Sequence, residues 1–580
     1  MTGETTRRSV LAGIAAIGAT SVAARGRTAP HDPGLGPNVL IVDPGMPAAQ
    51  RRIDAWFARQ ERAHFTDRRY AVLLKPGTHR LDINVGFFTQ IAGLGRTPDD
   101  VTVIGHVHAE ADWAKGMALV NFWRSVENMA VRPPDRADRW AVSQAAPYRR
   151  VHLAGDLALD DGGWSSGGFM ADCHVEGIVR SGSQQQWFTR TSQIAGWQGS
   201  NWNMMFMGVD GAPPESFPEP PYTTRPSVPV IREKPFLYVQ SDGAWAVFVP
   251  GLRRDAAGVS WHGTQAGRSV PLSDFLVADP ATPIDTINRA LAAGKHLLLT
   301  PGIYRLREPV RVVRPDTVIL GIGLATLLSD QGNPVLLIAD VPGVAVAGLL
   351  IDAGPRSSHV LMEVGPRGAN GDHRANPTLL ADIFFRVGGA AVGNAETCLE
   401  INSHHVIGDH LWIWRADHGD RDAGRVHVGW TESRGRHGLV VNGDHVTCYG
   451  LCVEHFQGWQ TVWNGEDGRT LFYQNELPYD PPSQAAWRAD SDRGWAAYKV
   501  ADHVRRHEAV GLGVYANFTA DPTIVLASAI EVPDAPGVQV SNVTTISLGG
   551  GKGTIAHPVN GSGAAARAGS IRQTVRRYPG

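Results

Sequence analysis

Two glutamates, Glu454 and Glu476, stand near the ends of strand-like runs, Val446 to His455 and Thr470 to Leu477, and 22 positions separate them. Short β-branched and aromatic runs that return every 20 to 30 residues or so, with Gly and Asn at the corners, are the pattern of coils in a parallel β-helix. In such a solenoid the next coil lies about 4.8 Å away, so the two carboxyls fall on adjacent rungs of one face. Carboxylates that close cannot both ionise cheaply; one should keep a proton near neutral pH and be able to act as a general acid. Cleavage of a glycosidic bond needs such a group. Phe456, Trp459, Trp463, Phe472, Tyr473 and Tyr479 offer ring faces nearby, and Asn464, Gln474 and Asn475 offer hydrogen bonds, a mixture suited to a sugar. Read without chemistry, the same residues are buried aromatics beside a solvated acidic corner. Arg415, Asp417 and His418 could bind sugar hydroxyls or, equally, form a structural ion pair.

The elements that must position these groups repeat along the chain. Leu73-Leu-Lys-Pro-Gly-Thr-His-Arg-Leu81 returns as Leu298-Leu-Thr-Pro-Gly-Ile-Tyr-Arg-Leu306, and each copy follows an amphipathic segment, Arg52 to Arg62 and Ile284 to Ala293, that reads as a capping helix. Elsewhere the pattern is of short strands bounded by Gly, Asn, Asp or Pro, such as Val101 to Gly105, Val344 to Ile351 and Val538 to Ile546. The fold class expected is all-β, with two tandem solenoid modules; an antiparallel sandwich is second, because tight two-residue hairpin signals are scarce. The expected organisation is a first module at 38–210, a Pro-rich linker or ordered connection at 211–275, a second module at 276–555 and a tail at 556–580. Seven prolines between Pro213 and Pro229 exclude a central strand or helix there.

Five segments carry a resemblance: Trp412-Ile-Trp-Arg-Ala-Asp-His418, Gly438-Leu-Val-Val-Asn-Gly-Asp444, Tyr449-Gly-Leu-Cys-Val-Glu-His-Phe456, Thr461-Val-Trp-Asn-Gly-Glu466 and Phe472 to Pro482. They resemble glycoside hydrolase family 55, the double β-helix β-1,3-glucanases. The resemblance implies two right-handed, pectate-lyase-like parallel β-helices side by side, a β-1,3-glucan substrate cleaved with inversion, Glu476 as general acid and Glu454 as its catalytic neighbour. Trp140-Ala-Val-Ser-Gln-Ala-Ala146 and Ser165-Ser-Gly-Gly-Phe-Met170 resemble family segments in which a glutamine and a serine hold the attacking water. That places those roles on Gln144 and Ser166. A neutral amide is a poor base, so a relay toward a carboxylate is required. Trp459, Trp463, Asn464, Tyr473, Tyr479, Asp417 and Arg415 are the candidate substrate-binding residues. Gln184-Gln-Gln-Trp-Phe188 is as readily a structural polar ladder as a functional one. Polysaccharide lyases share the solenoid, as do glycan-binding modules without chemistry, and fold alone does not separate them.

Thr6-Arg7-Arg8-Ser9-Val10-Leu11 followed by a short apolar, small-residue core predicts a twin-arginine signal over 1–30 and a secreted bacterial protein. The apolar run is too short to span a bilayer. With 54 basic and 56 acidic residues the chain has no electrostatic footprint for nucleic acid or an anionic membrane, and a neutral polysaccharide partner fits better. A monomer without cofactor or metal is expected. The four cysteines read as buried thiols; Cys448 and Cys452 share a strand and, by simple alternation, one face, about 13 Å apart.

Overall fold

The computed structural model describes residues 33–420, 424, 426–489 and 493–580; the expected signal over 1–30 lies outside them. Two parallel β-helices lie side by side. The first is built on a ladder running Val39–Val42, Tyr70–Leu74, Thr89–Gly93, Arg124–Arg132, Pro147–Leu153, Phe169–Ala171, Gln186–Arg190, Asn203–Met207 and Tyr222–Arg225. The second has two ladders, one from Phe275–Ala278 to Gly537–Ser547 and one from Val310–Val312 to Thr554–Val559. The duplicated motif occupies the same place in each. A strand, a helix and a second strand parallel to the first open both modules: Val39–Val42, Ala49–Gln60 and Tyr70–Leu74, then Phe275–Ala278, Ile284–Ala292 and His296–Leu299. Ile53 in one helix and Ile287 and Leu291 in the other are buried against the first coil, which closes the end of each solenoid.

The segment at 211–275 is folded. Tyr222–Arg225 completes the first ladder, beyond the expected boundary at 210. Val228–Arg232 pairs antiparallel with Leu252–Ala256, and Phe236–Val239, Trp245–Pro250 and Gly267–Pro271 form a small antiparallel sheet. The prolines take edge and turn positions, where a missing N–H costs no ladder bond. Residues 556–580 are likewise not a loose tail, because Arg572–Tyr578 pairs antiparallel with Gly537–Ser547 and covers that strand's open edge.

Each module has its own apolar interior, and a third apolar cluster, including Trp123, Phe169, Phe188 and Met205 from the first helix and Phe384, Trp412, Tyr449 and Phe472 from the second, fills the interface. A left-handed residue at one level of every coil makes this double use possible. Gly348, Asp382, His410, Gly450, Phe472, Gly511 and Asn542 follow one another in register down the second helix, with φ between +51° and +72°. Each bends its strand and resets the alternation of side chains. In Thr447–Glu454 this puts Cys448, Leu451 and Val453 inside, and Tyr449 and Cys452 outside against the first helix. Cys448 and Cys452 therefore do not share a face, contrary to simple alternation. At Gly450 the first helix also comes close: an added Cβ would sit 3.0 Å from Phe169 and 3.2 Å from Phe188, so glycine is required twice over.

Ionic groups stitch the same interface. Arg149 donates to both oxygens of Asp382 (2.7 and 2.8 Å) and to Asp409 (2.9 Å), and Arg190 bridges Asp409 and Glu233. Lys234 reaches Glu127 and Asp382 (2.6 and 3.1 Å), and His410 contacts Asp382 at 2.8 Å. Burial pushes the His410 imidazole below its usual range, and the charged partners hold Asp382 well below its own despite burial. Removing one member of such a buried set costs about 3–5 kcal/mol where a charge is left uncompensated.

Candidate active site

Glu454 closes the strand Thr447–Glu454, Glu476 closes the next strand Gly468–Glu476, and the two are register partners. The strands end together, so the carboxyls stand on adjacent rungs, and Glu454 still meets Gln144 of the first helix. Glu454 is 3% exposed. Both its oxygens accept an N–H bond: Gln144 Nε2 donates to Oε1 across the interface (2.9 Å), and Trp412 Nε1 donates to Oε2 (2.9 Å). Glu476 is half-buried and accepts a bond from the Tyr479 hydroxyl.

Burial, and then the neighbouring carboxylate, pushes Glu454 far above the usual carboxylate range, and burial also raises Glu476. The pair shares fewer than two negative charges near neutral pH. Although burial raises Glu454 the more, hydrogen bonding favours the proton on Glu476, because each oxygen of Glu454 accepts from a group that can only donate there, an arrangement that suits the ionised form. Burial, then the charge of Glu476, drives the Tyr479 hydroxyl well above its normal range, so it stays a donor.

Around Glu476 a second group gathers. His455 is buried, gives its Nδ1 proton to the Leu477 carbonyl (3.0 Å), lays its ring against Tyr479 (4.5 Å) and faces Asp417 with Nε2 at 3.7 Å. His418 Nδ1 lies 2.9 Å from the same Asp417 carboxylate. Against the effect of burial, these two imidazoles hold Asp417 well below the usual range, which fixes a negative charge beside the acid. The wall beyond is aromatic, with Phe65, Phe122 and Trp414 within 5.2 to 5.9 Å of the His418 ring.

Ser166 lies one coil from Gln144. The strand pairing Pro147↔Phe169 carries the 22-residue spacing of the two glutamates into the first helix and sets Gln144 level with Ser166. Ser166 is 4% exposed, and its Oγ accepts from Gln186 Nε2 at 3.3 Å. Trp164, two residues earlier, is 49% exposed beside the exposed Met117 and Leu119. Among the described residues no group of three or more His, Cys, Asp or Glu is gathered to hold a metal ion.

The chain matches the family model for the LAM55 pectate lyase-like domain over residues 275–476, which ends on the proposed acid. It is 50% identical over 534 residues, 91% of this chain and 87% of the relative, to an exo-β-1,3-glucanase of Streptomyces sp. (strain SirexAA-E / ActE). The chain belongs to glycoside hydrolase family 55. The structure of sacteLam55A from the same Streptomyces strain superposes on this family 55 member with a TM-score of 0.92 at 48% identity, over 94% of this chain and 99% of that one. A glucose complex of a sacteLam55A variant gives 0.91 over 94% and 98%.

The substrate-binding expectations divide. Tyr479 and Asp417 stand at the acid. Trp463 and Tyr473 point into the interior of the second helix, where Tyr473 donates to the Ala497 carbonyl, so neither can touch a sugar. For Tyr473 the inward face cannot be told from the outward one until the left-handed corner at Phe472 is located. Asn464 belongs to a side-chain ladder, Asn464 to Asn442 to Asn402, stacked along a corner. Trp459 packs on His437 and Trp495 around the bend from the acid. Arg415 is buried, bidentate to Asp480 and bonded to the carbonyls of Gly429, Ser433 and His455, a structural clamp on the loops that frame the site. Gln184 donates to the carbonyls of Val142 and Leu159 and is structural as well. Trp412 and His455, inside quoted motifs, and Trp164 were not assigned from sequence; the first two carry no signal beyond proximity to the glutamates.

Proposed function

We propose that this enzyme hydrolyses β-1,3-glucan with inversion, Glu476 protonating the departing oxygen while Gln144 and Ser166 hold the water. The exo action in the name of the Streptomyces relative extends to this chain. One observation carries the mechanism: the Gln144 Nε2 bond to Glu454 across the interface. An ionised carboxylate only accepts, so the amide must turn its NH₂ to Glu454 and its Oε1 to the water. A proton leaving the water enters at Oε1 as one leaves Nε2 for Glu454, which makes Glu454 the final acceptor. Attack then comes from the first helix and protonation from the second.

Retention is the competing reading, because carboxyls on adjacent rungs approach the roughly 5–5.5 Å separation of a nucleophile and acid. Against it, Glu454 is buried and each of its oxygens is held by an N–H donor, which pins the carboxylate in place and weakens it as a nucleophile toward a sugar carbon. Proton NMR of laminarin hydrolysis decides between them. The first product should be α-glucose that mutarotates to β; β-glucose appearing first would overturn the assignment. The export reading rests on Arg7-Arg8. Changing both to Lys should leave active enzyme inside the cell, and unchanged secretion without the twin-arginine pathway would refute it.

A further inference from the structure

We propose that Arg149 is a positioning residue for catalysis: its fork across Asp382 and Asp409 sets the rung register between the helices and so holds Gln144 on Glu454. This rests on the Gln144 reading above. Arg149 lies in Pro147–Leu153, the strand that begins three residues after Gln144. Asp409 lies in Ile407–Arg415, the strand that also carries Trp412, the second donor to Glu454. One guanidinium therefore joins the segment holding the first donor to the strand holding the second.

The geometry suits a register lock. Asp382 and Asp409 sit on adjacent rungs, in Leu379–Val387 and Ile407–Arg415, and Arg149 bonds both, with Nε and Nη2 on one and Nη1 on the other. A planar fork with fixed donor directions accepts two carboxylates only at one offset. Arg190 also forks from the first helix onto Asp409, but it does not reach Asp382, so Arg149 is the cation that ties both rungs. A shift of about 1 Å at a reacting group is enough to lower turnover about a hundredfold. The Gln144–Glu454 bond at 2.9 Å has no slack to absorb such a shift.

Removing Arg149 leaves Asp382 with Lys234 and Asp409 with Arg190, each already shared with a second carboxylate, so Arg149→Met should also lower stability, and the kinetics are compared on folded protein. Kinetics on laminarin with Arg149→Met, Arg149→Lys and Gln144→Ala, alone and combined, test the role. In the wild-type background Arg149→Met should lower kcat at least about tenfold with KM within about twofold, because only transition-state alignment is lost. Arg149→Lys, which reaches one carboxylate at a time, should fall between. In the Gln144→Ala background Arg149→Met should cost less than about twofold, because the bond it aligns is already gone. Wild-type kcat in Arg149→Met, or the same fold-loss in both backgrounds, overturns the proposal. Should Arg149→Met not fold, Arg149→Lys, which keeps the charge, carries the same cycle. Failure of the underlying water-holding reading would show separately, as wild-type turnover in Gln144→Ala itself.

Discussion

The two helices share a fold and a starting motif, yet they treat polar side chains at the catalytic end in opposite ways. In the first helix such groups serve the coil's own backbone: Gln184 caps the carbonyls of Val142 and Leu159, and Asn121 donates to those of Glu110 and Ala141. Gln144 departs from this habit by bonding Glu454 of the other module. In the second helix carboxyls and imidazoles are set among aromatic rings; burial raises Glu454 and Glu476, while His418 and His455 hold Asp417 low against burial. The difference teaches that proton transfer and water placement ask for different surroundings. A general acid needs a dry, charge-tuned site; a nucleophilic water needs fixed neutral donors and acceptors. In the proposed mechanism the junction of the two solenoids supplies both.

Breaking the acid half should have the largest effect. Glu476→Gln keeps the shape and can still hydrogen-bond, but it has no proton to give, so hydrolysis of unactivated glucan should fall about 10² to 10⁴-fold. Aryl glucosides with good leaving groups should lose much less. Equal losses on both substrate types would mean that Glu476 does not protonate the departing oxygen.

On the water half, Gln144→Ala should lower kcat about a hundredfold with little change in KM, the size seen when one preorganised polar group is removed. Ser166→Ala should cost about tenfold, since Gln186, its hydrogen-bond partner, remains to hold a water. If Ser166→Ala proves the more damaging, the water is anchored chiefly by the hydroxyl and the relay through Gln144 is secondary.

Much of this division was legible in the sequence, for physical reasons. The spacing between Glu454 and Glu476 is the length of a coil, so simple periodicity placed the carboxyls together. The duplicated Leu-Leu-x-Pro-Gly motif marks the start of each solenoid because the same strand and turn must follow each capping helix. What stayed hidden depends on the left-handed corners. Positive φ at Asp382, His410, Phe472 and Asn542 has no glycine to announce it, and each corner exchanges inward and outward positions. Phe472 thereby turns Tyr473 inward, where simple alternation does not place it, and Gly450 does the same between Cys448 and Cys452. Gln144 and Ser166 were reached only through resemblance, because a glutamine or serine at a coil corner is ordinarily structural, and contacts across 310 residues of sequence leave no local trace.

The pH profile sharpens the comparison further. Burial raises Glu476, and a like charge on Glu454 one rung away should add to this; Glu454→Gln removes that charge and also the final proton acceptor, so the profile is read on the residual activity. The acid form of Glu476 is then lost at lower pH, so the alkaline limb of kcat/KM should move toward acid. A limb that stays in place would assign the raised affinity to burial alone, and one that moves to higher pH would contradict the coupling of the two carboxyls.

The smallest expected effect concerns the rim of the first helix. Trp164 is 49% exposed, its neighbours Met117 and Leu119 are 37% and 36% exposed, and it stands two residues before Ser166. Main-chain bonds fix the segment, the Trp164 carbonyl accepting from Ala118 N at 2.8 Å. A large ring left in water but held by its backbone suits stacking on a sugar face. Such a contact contributes about 0.5–1.5 kcal/mol, so Trp164→Ala should raise KM about two- to tenfold and leave kcat nearly unchanged. The effect should depend on chain length, because the ring stands on the water-holding side of the cleft, away from the strand ends that carry the acid. Long laminari-oligosaccharides should lose affinity and laminaribiose should not. Loss on both would put Trp164 against the sugar being cleaved, and loss on neither would leave the exposed ring outside the glucan path.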